Sequence, residues 1–188
     1  MTLGTLTWAR ALDHLDLVAP STAAALTAWT ADEPRVADEV LVAQIDPDLA
    51  DTAALTEAFD LPPSASVNCV LVAGRREGNE KIAAALVRAT TRADVNSTVK
   101  RLLDVRKCSF LPMDRATAES GMEYGGITPI GLPGEYRLLL DARVTVDDPE
   151  AGGIVVIGSG VRHSKIALPG ALLAAMPGVE VVDGLALG

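Results

Sequence analysis

Apolar and polar positions along the chain fall into short blocks of two kinds. β-rich apolar runs cover Val67 to Ala73 and Ile82 to Thr90, and the polar, glycine-containing segment GRREGNEK between them predicts a hairpin. Val40 to Ile45, Tyr136 to Val146 and Gly153 to Ile157 read as further strands. Helical patterning predicts an opening helix over Thr5 to Asp13 and an alanine-rich helix over Ser21 to Thr30, with Ser21 as N-cap after Pro20. Asp51 caps a third helix that runs through Phe59 and stops before Pro62-Pro63, Asn96 to Leu103 is a fourth, and Pro169 to Met176 a short proline-led fifth. Helices and strands mix without strict βαβ alternation. The expected fold is therefore α/β: a single domain, 1–188, with a mixed, largely antiparallel sheet surrounded by helices.

Composition narrows the functions. The 188 residues are 49% hydrophobic, enough for one buried core, but aromatics make up only 3%, so base-stacking platforms are scarce. A formal net charge of -9 opposes any extended contact with a polyanion and argues against DNA as a partner. Arg75 and Arg76, with Lys100, Arg101, Arg106 and Lys107, form at most a modest basic rim. Cys69 and Cys108 lack CxxC spacing and His14 and His163 stand far apart, so no metal site is expected, and the absence of GxxxxGK[ST] and of a complete GxGxxG leaves no cofactor. The N-terminal MTLGTLTWARALDHL has neither the basic start nor the apolar core of a signal peptide. A soluble cytoplasmic protein with reduced thiols and no membrane partner is the expectation.

The candidate chemistry sits in Glu123 to Gly131, EYGGITPIG. Glycine permits positive φ and close approach of a ligand to backbone amides, and Pro129 fixes its own φ and keeps Thr128 out of helical geometry. Such a loop is rigid and rich in donors, suited to an ester carbonyl, a carboxylate or a phosphate.

From Ser66 to Val182 the chain resembles the YbaK/prolyl-tRNA-editing family of free-standing aminoacyl-tRNA deacylases. The resemblance rests on an ordered set: SVNCVLV, AALVRATTRADVN, the GGITPIG loop with its GxxxP pattern from Gly125 to Pro129, LLLDARV and IGSGVRHSKIALP. It implies a core over 64–188, preceded by a helical and strand portion over 1–63 that matches least. It also implies hydrolysis of the ester joining a mischarged amino acid to the 3′ end of tRNA, a proofreading step without metal or cofactor. The partners implied are the aminoacyl-tRNA 3′ end and an aminoacyl-tRNA synthetase.

By the same resemblance, the amides of Gly125, Gly126 and Ile127 are oxyanion donors, with Thr128 and Pro129 shaping the pocket. Substrate-binding roles fall to Asn68, Asp141, Gly158, Ser159, Gly160 and His163. Each has a structural alternative: Asp141 could cap a turn, and His163, beside Arg162 and Lys165, could be a surface residue. The chain departs from the family at Asn68, where the pattern V-K-T-L-V carries lysine. A neutral amide there removes a charge, so a second reading is a catalytically impaired module that binds an amino acid or an aminoacyl-tRNA 3′ end. Lys81 and Lys165 are replacement cations by type, both expected to be exposed. Asp141, Ser159 and His163 also supply the residue types of a serine hydrolase, though Ile157 stands where a G-x-S-x-G elbow needs glycine.

Overall fold

The computed structural model of the protein describes residues 3–146 and 150–188. In chain order the elements are β1 (Ala9–Arg10), α1 (Pro20–Asp32), α2 (Val36–Glu39), β2 (Leu41–Gln44), α3 (Thr52–Phe59), β3 (Val67–Arg76), β4 (Asn79–Arg88) and β5 (Arg92–Ala93). There follow α4 (Lys100–Leu102), β6 (Cys108–Phe110), α5 (Met113–Ser120), β7 (Arg137–Asp141), β8 (Ile154–Gly158), β9 (Ser164–Pro169), α6 (Gly170–Ala174), β10 (Val179–Val182) and β11 (Ala186–Leu187). They build a five-stranded sheet in the order β10-β7-β4-β3-β6, a four-stranded sheet in the order β1-β2-β9-β8, and a small β11-β5 pair. Among the described residues, only the β4-β7 and β7-β10 ladders are parallel. The fold is mixed α/β with largely antiparallel sheets.

Strand alternation explains how the sheets share a core. Val67, Leu71, Ala84, Leu86 and Leu140 point from the five-stranded sheet into one cluster with Val155, Ile157, Ile166 and Leu168 from the four-stranded sheet, closed by Leu26 and Trp29 of α1. The opposite face of the five-stranded sheet, with Val72, Ala85, Val87 and Leu139, is covered by Val95, Val99 and Leu103. The outer face of the four-stranded sheet, with Val156 and Ala167, is covered by Leu55 of α3 together with Ile45 and Ala50. The segment before residue 64 therefore supplies two strands and a covering helix to the sheet that carries IGSGVRHSKIALP.

The hairpin is longer than its apolar runs. β3 and β4 pair from Val67↔Arg88 out to Arg76↔Asn79, through the charged segment, and Glu77 and Gly78 take φ of 53° and 84° in the two-residue turn. Two positive-φ residues are what a type I′ turn needs, so turn geometry extends pairing past the point where hydrophobicity ends. The Thr5 to Asp13 helix is not formed. The segment instead holds β1, antiparallel to β2, and a 3-10 turn over Ala11–Asp13. α1 starts at Pro20 with Ala19 as N-cap, not Ser21, since proline at the first helical position has no N–H to satisfy. The run from Tyr136 ends as a strand at Asp141 and turns into a 3-10 helix. β6, α5, β9 and β10 lie in segments without a predicted element.

Candidate functional site

The site is built on two glycine-bearing turns that brace each other. The N–H of Gly126 donates to Glu123 O at 3.0 Å, that of Glu123 to Gly160 O at 2.9 Å, and that of Gly160 to Gly126 O at 2.7 Å. Close approach makes the glycines necessary: a Cβ at Gly126 would stand 2.4 Å from the Val161 carbonyl oxygen, and one at Gly158 would stand 2.3 Å from that of Gly126. Gly125 has φ +83°, open to glycine at little cost. Arg162 ties the turns together. Its N–H donates to Glu123 Oε2 at 2.6 Å, and its guanidinium donates to Tyr124 O at 3.3 Å and to Pro47 O at 2.9 Å, with Asp51 Oδ1 3.7 Å away.

Beside this brace lies a cavity of about 260 Å³. Ser66, Val67, Asn68 and Cys69 from β3 and the residue before it form one wall; Tyr124, Gly125 and Ile127 form the second. Val156, Ile157 and Gly158 of β8, Lys165 of β9, and Ala50, Asp51, Thr52 and Leu55 around the first turn of α3 complete it. A parallel bridge between Ser66 and Val156 brings the two sheets together here. The N–H groups of Gly125 and Ile127 have no acceptor among the described residues. Two residues that line the cavity thus carry unspent backbone donors, and donors of this kind, when aimed at a substrate oxygen, receive developing negative charge.

Polar side chains add to those donors. Thr52 Oγ1 donates to Asn68 Oδ1 at 3.2 Å, which leaves the amide NH2 of Asn68 as its free end. Lys165 is 7% exposed, contrary to expectation, and its ammonium has no hydrogen bond or ion pair among the described residues. Burial, reinforced by repulsion from Arg162 and only partly offset by Asp51, lowers its pKa to about 8. Burial also pushes the Cys69 thiol up to about 12, so it is a neutral wall group. Lys81 is exposed and lies away from the cavity.

Of the residues singled out in sequence, Asn68, Gly125, Ile127 and Gly158 line the cavity together. Gly126 stands in the loop, but its N–H is committed to Glu123, so it is a brace and not a free donor. Thr128 is fully buried behind the loop, with its N–H 3.5 Å from Met122 Sδ, and neither it nor Pro129 lines the cavity. Asp141 is 1% exposed at the end of β7 and outside the cavity; its oxygens accept from the Arg143 guanidinium and N–H and from the Ala186 N–H. The turn-capping alternative holds for it. Gly160 works through its backbone bonds to the loop.

No hydrolase triad assembles. Ser159 is fully buried, donating to the Ser164 carbonyl at 3.0 Å and standing 2.7 Å from Ser164 Oγ. His163 lines a separate open groove with Tyr124 and Arg162, and Asp141 is spent elsewhere. Residue types alone did not point to Thr52 or Arg162 as neighbours of the loop, and by type Lys165 reads only as a replacement cation expected to be exposed. The alternation in SKIALP carried the signal for Lys165: with Ile166 and Leu168 facing the inner core, Lys165 must share the outer face with Ala167, under α3.

Among the described residues no helix is long and apolar enough to cross a membrane. No curated protein matches the chain significantly. Among solved structures, it superposes on the hypothetical protein APE2540 with TM-score 0.70 at 16% identity, covering 87% of this chain and 99% of that one. It superposes on a candidate trans-editing enzyme for prolyl tRNA synthetase with TM-score 0.69 at 18% identity, covering 91% and 99%. At those identities the likeness shows a shared fold. The sequence profile of the aminoacyl-tRNA editing domain matches residues 46–175, starting before the predicted core at 64 and taking in the first turn of α3. On that match, across most of its length, the chain belongs to the aminoacyl-tRNA editing domain family.

Proposed function

We propose that this protein is a trans-acting aminoacyl-tRNA deacylase that hydrolyses the ester of mischarged tRNA in the cytoplasm. Its partners would be the aminoacyl-tRNA 3′ end and a synthetase whose errors it clears. The whole chain would act as one domain, since residues 1–63 furnish a cavity wall. The observation that carries this reading is the pair of unspent N–H groups, of Gly125 and Ile127, on a cavity sized for a small aminoacyl group.

Water adds to the ester carbonyl carbon and charge gathers on the carbonyl oxygen, where fixed amides stabilise it without reorganising. The bond to the ribose oxygen then breaks, that oxygen takes a proton, and the amino acid leaves free tRNA. The neighbouring ribose hydroxyl positions the water, so no side-chain nucleophile is needed, in keeping with the inert Cys69 and the buried Ser159. Asn68 and Gly158 contact the aminoacyl group, and Gly126, Thr128, Pro129 and Gly160 hold the loop.

The second reading, a binding module without turnover, rests on the neutral amide at Asn68. A panel of aminoacyl-tRNAs separates the two: a deacylase releases free tRNA from at least one member above the no-enzyme rate. A binding module releases none, yet holds a non-hydrolysable aminoacyl-adenosine amide.

A further inference from the structure

Lys165 is a buried cation with no protein counter-charge in contact. It reaches the cavity from the outer face of the four-stranded sheet, over small neighbours: its register partners are Ala43 on β2 and Gly158 on β8. The charged groups facing it are Arg162 on the β8–β9 turn, which repels, and Asp51 before α3, which attracts. A desolvated ammonium without a partner is a costly arrangement unless a ligand oxygen supplies the opposite charge. Across the same cavity, Asn68 holds the place where the resemblance expects lysine, and its carbonyl is engaged by Thr52. The cavity therefore has its cation, but on a different strand.

We propose that Lys165 is a catalytic residue of the deacylase, setting its ammonium against the carbonyl oxygen of the scissile ester and supplying from β9 the positive charge that the resemblance places at the position of Asn68. This rests on the deacylase reading. As water adds, the carbonyl π pair moves onto oxygen, and the oxyanion meets the ammonium and the Gly125 and Ile127 N–H groups. When the carbonyl re-forms, the bond to the ribose oxygen breaks and that oxygen leaves with a proton from the attacking water. The other source of a negatively charged oxygen is the terminal phosphate, which would use the ammonium for binding and not in the chemical step.

Lys165→Met and the double variant Asn68→Lys/Lys165→Met test this. The first is expected to lower kcat by about 10²- to 10³-fold, the usual cost of losing one oxyanion partner, with KM within about threefold. The double variant is expected to recover at least about tenfold of that loss. Unchanged kcat, or a raised KM with kcat intact, overturns the assignment, and the second result points to the phosphate. Affinity for a tetrahedral phosphonate analogue of aminoacyl-adenosine, set beside the neutral amide analogue, reads the charge contact without turnover. Lys165→Met is expected to weaken the phosphonate selectively, and equal losses for both overturn the proposal. Absence of wild-type turnover with a selective phosphonate loss removes the deacylase reading while keeping the Lys165 contact.

Discussion

The Gly160 N–H donates to the carbonyl oxygen of Gly126 at 2.7 Å, and a Cβ at Gly158 would stand 2.3 Å from that same oxygen. The end of β8 and the donor loop are thus a single unit with no room for a methyl group. Gly158→Ala is expected to destabilise the fold by about 1–3 kcal/mol, the usual cost of overpacking against backbone, and to lower kcat further by moving the loop. Gly134→Ala, with nothing within 4 Å of its Cβ, stays within about 0.5 kcal/mol of wild type. Urea unfolding beside steady-state rates checks both.

Arg162 bonds to two segments far apart in sequence: Glu123 and Tyr124 of the donor loop, and Pro47. Arg162→Ala removes the guanidinium from above Gly125 and is expected to reduce kcat/KM by about 10- to 100-fold through misplacement of the loop. Arg162→Lys should recover little, because an ammonium cannot reach two carbonyls with a planar fork. Faster amide exchange over 123–127 in both variants, with the β4 core unchanged, would localise the effect to the loop.

Lys165 links stability to pH. In the folded protein it loses its proton near pH 8, whereas a lysine in the unfolded chain keeps it to about 10.5. Below pH 8 it is charged in both states and its burial penalty, at most roughly 3 kcal/mol, is fully present. Between those values the unfolded chain binds more protons, so this contribution to wild-type stability rises with pH. Lys165→Met is therefore expected to be more stable than wild type at pH 7, with the gap closing by pH 9.5. In the same range an ammonium acting on an oxyanion predicts a decline of kcat above about pH 8 after subtraction of spontaneous hydrolysis, whereas a neutral amine acting as base predicts a rise. Cys69 and Tyr124 also line the cavity, so the comparison with Lys165→Met assigns the change to the lysine.

Asp141 gives the opposite sign. Burial alone would raise its pKa, but hydrogen bonds from Arg143 and from the Ala186 N–H outweigh it and hold the carboxyl below the ordinary range. Its stabilisation is present above the unfolded carboxylate pKa and is lost as pH falls through the lower folded value. Asp141→Asn is expected to cost about 1–3 kcal/mol at pH 7 and far less in strong acid, since it weakens the charge-assisted hydrogen bonds that the buried carboxylate accepts from Arg143 and the Ala186 N–H. KM should hardly move, as Asp141 lies outside the cavity.

The pairing of β3 with β4, the helix after Asp51 and the donor loop were legible because each has a local signature: two β-rich apolar runs around a polar glycine-containing connection, an acidic residue at the N-cap position and a glycine-proline turn. Thr5 to Asp13 misled because an apolar pattern over nine residues does not separate a helix from a short edge strand, and the edge of β2 decided the outcome. The site was legible where glycine marks close backbone contact, at Gly126 and Gly158, or a positive φ, at Gly125. It was opaque where identity is set by tertiary partners. Lys165 shares its cavity with Thr52 and Leu55 of α3, more than a hundred residues earlier, and the carboxylate of Asp141 accepts from the Ala186 N–H, 45 residues later.

The deacylation of a panel of aminoacyl-tRNAs, including Cys-, Ala-, Pro- and Ser-tRNA, by wild type and by Gly125→Ala tests the central claim most directly. Gly125 has φ +83° and a Cβ there would meet the Arg162 guanidinium at 2.3 Å, so the substitution shifts the free N–H groups while leaving the rest of the cavity in place. Hydrolysis of one ester by wild type, reduced at least about tenfold in Gly125→Ala, is the expected result. Release no faster than the no-enzyme control across the panel, or equal rates for both proteins, would contradict a deacylase whose chemistry resides in this loop.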